Sequence, residues 1–182
     1  MNGLVVLWVG KRAPEAVQSL VEEYRQRVGR FMPCSDVRSR PAEGRGGDRS
    51  RVLAQEAERI ADHLQPGDLV VALDERGVEQ RSEELARWIG EGRQRARLVF
   101  VLGSDLGLDP ELLARANLRL SLSRLTLPHQ MARLVLWEQL FRACDLLAGG
   151  GYHRGGEDAR EAERAQSVIS QGRGREGKSV KV

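Results

Sequence analysis

Cysteine is scarce in this chain: 182 residues hold two, Cys34 and Cys144. They form no C-x-x-C or zinc-ligand spacing, so neither a disulfide framework nor a metal site is indicated. Lysine is nearly as rare, with 3 Lys against 26 Arg, and Lys11 is the sole lysine before position 178. The net charge is only +3. That excludes a broad polycationic nucleic-acid binder and leaves room only for locally placed arginines, whose planar fork suits phosphates and bases. No apolar run is long enough to span a bilayer. The opening stretch Gly3 to Val9 has no basic region before it and no small-residue cleavage site after it, so it reads as a core strand of a cytoplasmic protein. With 41% hydrophobic and 30% charged residues, what remains is an ordinary globular chain of about one domain.

Strand and helix signals alternate from the first residues. Gly3 to Val9 is followed by Pro14, a favoured helix-opening residue, and a stripe of Val17, Leu20, Val21, Tyr24 and Val28. A weak strand near Cys34 to Arg40 and the loop Pro41 to Gly47 precede a helix that Asp48 caps. Its apolar face is read as Leu53, Ala57, Ile60, Ala61 and Leu64. Asp68 to Leu73 and Leu98 to Leu102 are short continuous apolar strands of the type buried on both faces of parallel sheets. Asp74 to Gly77 reads as a turn, Ser82 starts a helix, Gly103 to Gly107 forms a glycine-bounded turn, and Asp109-Pro110 caps another helix. The strand Leu118 to Leu122 leads into a helix from about Pro128 to Leu147. The expected fold is α/β, one mostly parallel sheet with helices on both faces. Ligands in such sheets bind outside the carboxyl ends of the strands, here the loops at Leu73, Gly103 and Leu122. From residue 156 the composition turns polar, giving a body of 1–155 and an extension of 156–182 expected to lack a core.

Common nucleotide and hydrolase motifs are missing: no G-x-G-x-x-G follows the first strand, and there is no G-x-S-x-G or H-E-x-x-H. A literal P-loop match, Gly172 to Ser179, fails on context, because no strand precedes it and three residues follow it. The last helix is more informative. Leu134, Leu136, Trp137, Leu140, Phe141, Cys144 and Leu147 share a broad apolar arc, with Arg133 projecting into it and His129 one turn earlier. A buried arginine requires a partner. Arg133 either pairs with a carboxylate at a subunit interface, or the His129 and Arg133 end approaches an anionic ligand. Asp74 is either a site carboxylate or a turn cap, His63 a solvated surface residue, and Tyr152-His153-Arg154 a cluster of stacking ring, imidazole and fork donor.

Gly103 and Gly107, the block Leu120-Ser121-Leu122-Ser123-Arg124-Leu125-Thr126-Leu127-Pro128-His129, Arg133 with Leu134-Val135-Leu136, Glu138 to Ala143, Tyr152-His153-Arg154 and the early Val9-Gly10-Lys11 together resemble the ribosomal RNA large subunit methyltransferase H family of the SPOUT class. The similarity runs in register across residues 1–155. It implies a SPOUT-type C-terminal trefoil knot, a homodimer, and S-adenosylmethionine as cofactor. Leu73, Gly103, Leu122, Ser123, Arg124, Leu125, Thr126 and Leu127 match the cofactor positions, and His129 and Arg133 shape the pocket. His153 and Arg154 are the expected substrate contacts. The implied reaction is methylation at N3 of a pseudouridine in the helix 69 loop of 23S large-subunit ribosomal RNA, without metal or membrane.

Two features depart from the family pattern. Ser104-Asp105-Leu106 stand where a second glycine is common, and the chain continues well beyond Arg154. These leave two competing readings, a catalytically silent ribosome-binding module and a SPOUT methyltransferase acting on another RNA such as tRNA.

Overall fold

The computed structural model describes residues 2–43 and 48–152. Five strands, β1 (Leu4–Val9), β2 (Cys34–Ser39), β3 (Leu69–Glu79), β4 (Leu98–Leu102) and β5 (Leu118–Ser121), form one parallel sheet in the order β2-β1-β4-β3-β5. Between and after them run α1 (Glu15–Gly29), α2 (Arg49–Ala61), α3 (Ser82–Arg95), α4 (Pro110–Arg115) and α5 (His129–Leu147). The expected α/β architecture is therefore present. The short apolar runs LVVLWV and LVFVL become the central strands β1 and β4 because both of their faces are covered.

One face of the sheet carries Leu4, Val6, Trp8 and Phe100 under side chains of α1, α3 and α5, including Val21, Ile89, Leu136 and Trp137. The other carries Leu7, Val9, Val99 and Val101 under Ile60 of α2 and Leu112 and Leu113 of α4. No helix among the described residues is long and apolar enough to cross a membrane.

Four local readings change. Asp74 to Gly77 is not a free turn: β3 continues to Glu79, with a register shift against β5 between Leu73 and Val78. A Cβ on Gly77 would lie 2.7 Å from the Arg119 carbonyl and the Leu120 carbonyl carbon, so only glycine lets the two backbones meet there. On α2 the inward face is Val52, Leu53, Glu56 and Ile60, and Ala61 is exposed. Glu56 turns inward because its carboxylate accepts the Ala42 N–H at 3.0 Å. Asp48 occupies the N-cap position without a side-chain hydrogen bond to the helix. On α1, Leu20 is exposed while Val21 and Val28 are buried. Residues 153–182, which include the polar extension and the P-loop match, lie outside the described residues.

Candidate functional site

All five strands are parallel, so their carboxyl ends share one edge of the sheet. There the middle of β3 from Leu73 to Arg76, the loops after β4 and β5 and the first turn of α5 enclose a cleft of about 670 Å³, within the range of small-molecule and cofactor sites. Its walls include Leu73, Gly103, Leu122, Ser123, Leu125, Thr126, Leu127 and His129.

The loop after β4 is shaped by its first glycine. A Cβ on Gly103 would sit 2.1 Å from the Gly107 carbonyl oxygen, so the chain can return on itself there only without a side chain. Ser104 and Gly107 form an isolated bridge, the Gly107 N–H donates to the Ser104 carbonyl at 2.9 Å, and Ser104 Oγ accepts from the Leu106 N–H at 3.3 Å. The serine that departs from the family pattern thus helps to close the turn. Arg49, the first residue of α2, donates to the Leu106 carbonyl at 2.8 Å and ties this loop to the second helical layer.

The loop after β5 is held by its own serines. Ser121 Oγ donates to the Ser123 carbonyl at 3.1 Å, and Ser123 Oγ accepts from the Leu125 N–H at 2.9 Å. These bonds leave the Leu122, Thr126 and Leu127 side chains to line the cleft, while Leu125 stands 76% exposed at its rim. Arg124 departs from expectation. It does not line the cleft but reaches Glu79 on β3 at 3.0 Å, with its side chain almost fully solvated.

His129 opens α5 with its Nε2 buried beside Gly10, without a hydrogen-bond partner among the described residues. Its ring lies 5.8 Å from that of Trp8. Burial holds this imidazole below its ordinary range and the nearby Arg133 adds to the shift, while Asp105 and Glu56 oppose it. The His129 side chain in the cleft wall is therefore neutral near pH 7.

Arg133 does not line the cleft. It is fully buried one turn along α5, where Asp36 of β2 takes its guanidinium at 2.5 Å. Gln18 and Gln130 accept further bonds, and the guanidinium carbon stands 4.1 Å from the Trp8 ring centre. The carboxylate it requires comes from the same chain, which removes it from the anion-binding role. His153 and Arg154 lie outside the described residues. Tyr152, just before them, sets its ring edge-on to Phe141 at 4.9 Å and donates its hydroxyl to Glu138 at 3.3 Å.

Several cleft residues escaped the sequence reading. Arg119 pairs with Asp74 across the β3–β5 junction, and Asp74 also accepts the Arg76 N–H at 3.2 Å, so Asp74 is both ion-pair partner and turn former. Leu108, Leu113 and Ala132 complete the apolar wall. The one available signal was the β3–β5 pairing implied by their apolar cores, which brings Arg119 opposite Ala72 and beside Asp74. The cleft combines aliphatic walls with both signs of charge at its mouth, Arg49, Arg76 and Arg119 against Asp74, Glu75 and Asp105. Neither cysteine lines it. Such a site binds and orients a small ligand of mixed polarity rather than attacking it. Among the described residues no group of three or more His, Cys, Asp or Glu could hold a metal ion.

A family model described as "Predicted SPOUT methyltransferase" matches residues 3–153. Among curated proteins, the chain is 40% identical over 152 residues to the ribosomal RNA large subunit methyltransferase H of Geotalea daltonii, covering 82% of this chain and 98% of that protein. Its counterpart of the same name from Dechloromonas aromatica is 43% identical over 158 residues, covering 84% and 99%. A probable methylase family protein from Haemophilus influenzae aligns with a TM-score of 0.47 and 13% identity, over 83% of this chain and 69% of that one, a likeness too distant to add to the assignment. With the glycine-closed loop after β4 and the serine-braced loop after β5 meeting over one cleft, and a match running from β1 to the end of the described residues, the chain belongs to the SPOUT methyltransferases, in the ribosomal RNA large subunit methyltransferase H family.

Proposed function

We propose that the cleft binds S-adenosylmethionine and that the protein methylates large-subunit ribosomal RNA, at N3 of a pseudouridine in the helix 69 loop. The observation that carries this reading is the convergence of Leu73 in β3 and the loops at Gly103 and Leu122 to Leu127 on one cleft of cofactor size. The residues suit the cofactor. Leu73, Leu102, Leu122 and Leu127 give an apolar surface for a base, Gly103 lets the loop after β4 fold back to form one wall, and charges of both signs at the mouth match a zwitterionic amino-acid end. When bound, S-adenosylmethionine supplies an electrophilic sulfonium methyl.

The chain's own contribution is positional. The braced loops and neutral His129 hold the ligand and exclude water, so that rate comes from aligning the acceptor nitrogen with the methyl. His153 and Arg154, following Tyr152, are the proposed contacts to the acceptor base, where a guanidinium favours the ring that has lost its imide proton. We also infer a homodimer with a trefoil-knotted C-terminal part. Supporting the dimer, α5 leaves Leu134 and Phe141 partly covered and Leu147 exposed along its apolar arc.

Labelled S-adenosylmethionine incubated with 70S ribosomes, 50S subunits and tRNA tests the assignment. Label at a single pseudouridine of large-subunit RNA is the expected outcome. Label in tRNA alone overturns the substrate, and no label in any RNA overturns the activity.

A further inference from the structure

The arginines of this chain divide into paired and unpaired sets. Arg25, Arg27, Arg51, Arg81, Arg97, Arg119, Arg124, Arg133 and Arg142 each have a carboxylate within salt-bridge distance. At the carboxyl ends of β1 and β2, Lys11, Arg12, Arg38 and Arg40 are all exposed, and none has a carboxylate partner among the described residues. The backbone keeps them together. Trp8 and Arg38 are register partners, and the Gly10 N–H still donates to the Ser39 carbonyl at 3.3 Å where the chain leaves both strands. Lys11 and Arg12 therefore emerge beside Arg40.

This group adjoins the cleft. Gln130 Nε2 donates to the Lys11 carbonyl at 2.9 Å, and the preceding residue, His129, is part of the cleft wall. Away from the cleft, a depression of about 560 Å³ extends the surface past Arg38 and Arg40 to Arg59 and His63, with Glu43 and Asp62 as its acids. Arg59 braces this surface by donating to the Arg40 and Pro41 carbonyls at 2.9 Å.

We propose that Lys11, Arg12, Arg38 and Arg40 form a docking surface for the sugar-phosphate backbone of the RNA whose base enters the cleft. This rests on the RNA-methylation reading. Four unpaired cations on adjoining strand ends, in a chain whose net charge is only +3, form a local positive field without general polycationic character. Contacts of this class fix register and orientation, while the cleft and its contacts select the base. An acidic protein surface is the competing occupant, and binding to protein-free RNA separates the two.

The test uses the full chain with Lys11, Arg12, Arg38 and Arg40 all changed to Gln. A control carries Arg30→Gln and Arg95→Gln, two exposed arginines at the opposite edge of the sheet. Binding to deproteinised large-subunit ribosomal RNA is measured from 50 to 200 mM salt, with S-adenosylmethionine affinity and methyl transfer to ribosomes alongside. Each lost phosphate contact lowers the slope of log affinity against log salt by about 0.7 to 0.9. The fourfold variant is expected to flatten the slope by about three and to weaken RNA binding at least about tenfold at 100 mM salt. The control and the cofactor affinity should stay at wild-type values. An unchanged slope in the fourfold variant, or an equal loss in the control, overturns the surface. So does a wild-type protein that binds no RNA. The functional reading fails separately, through absence of methyl transfer by the wild type.

Discussion

The guanidinium of Arg133 lies fully buried against the carboxylate of Asp36, 97 residues away in sequence. Asp36 serves as a hub. It also accepts the indole N–H of Trp8 at 2.9 Å and of Trp137 at 2.8 Å, joining β1, β2 and α5, while Gln18 brings in α1. Removing one partner of a buried pair leaves the other charged and desolvated, at a cost of about 3–5 kcal/mol. Asp36→Ala should lose stability of that order in urea unfolding. Adding Arg133→Met should recover part of it, because the orphaned charge is then gone. If the double variant lost the sum of both single costs, Asp36 and Arg133 would not be acting as a coupled pair.

The loop after β4 gives a sharper steric prediction. Gly103→Ala places a methyl group 2.1 Å from the Gly107 carbonyl oxygen, which is backbone and cannot swing away as a side-chain end could. The loop must shift, at about 1–3 kcal/mol for an overpacked site. Since this loop is one wall of the cleft, calorimetry should show at least about a tenfold weaker S-adenosylmethionine affinity. Wild-type affinity in this variant would remove the Gly103 loop from the site.

How far the fold was readable from sequence follows from where the determinants lie. β1, β4 and the first half of β3 are apolar runs whose burial is local information, and they fix the edge on which the cleft opens. The second half of β3 was missed because Asp74-Glu75-Arg76-Gly77 has turn composition, and only contact with β5 keeps it extended. The inward face of α2 was misplaced because Glu56 is buried by a bond to Ala42, on a different segment. Arg133 was correctly expected to need a carboxylate, but Asp36 lies on a strand with no apolar pattern to place it opposite α5. Arg124 sits within a motif whose neighbours line the cleft, and spacing alone does not say that one of its side chains turns toward Glu79.

His129 makes stability depend on pH. Burial, reinforced by Arg133, holds its folded-state value below the ordinary 6.5, so between the two values the unfolded chain binds more protons. The contribution of neutral His129 is present in full above pH 6.5 and is lost as the pH falls toward the folded value. Melting temperatures at pH 7.5 and 5.0 should differ more for the wild type than for His129→Gln. Equal differences would mean that His129 is not held neutral by the fold.

The thiols should be inert. Burial pushes Cys144 up to about 11 and raises Cys34 as well, whose Sγ donates to the Arg25 carbonyl at 3.3 Å. Only the thiolate reacts. With Ellman's reagent at pH 8, the folded protein should label more slowly than free cysteine, and Cys144 only on unfolding. Rapid release of one equivalent from the native protein would contradict this burial.

Arg124 and Thr126 are two residues apart in the loop after β5 but face different surroundings, which separates the sequence motif from the geometric site. Arg124 reaches Glu79 outside the cleft with its side chain 89% exposed. Thr126 is also exposed, but it lines the cleft. Arg124→Ala should leave stability within about 0.5 kcal/mol, as for surface substitutions generally, and cofactor affinity within about twofold, since it removes one solvated ion pair. Thr126→Trp adds an indole at the mouth of the cleft without entering the core, so unfolding should change little while S-adenosylmethionine binding weakens at least about tenfold by occlusion. The opposite result, a large loss with Arg124→Ala and none with Thr126→Trp, would place the ligand on the outer face of the loop and overturn the cleft as the cofactor site.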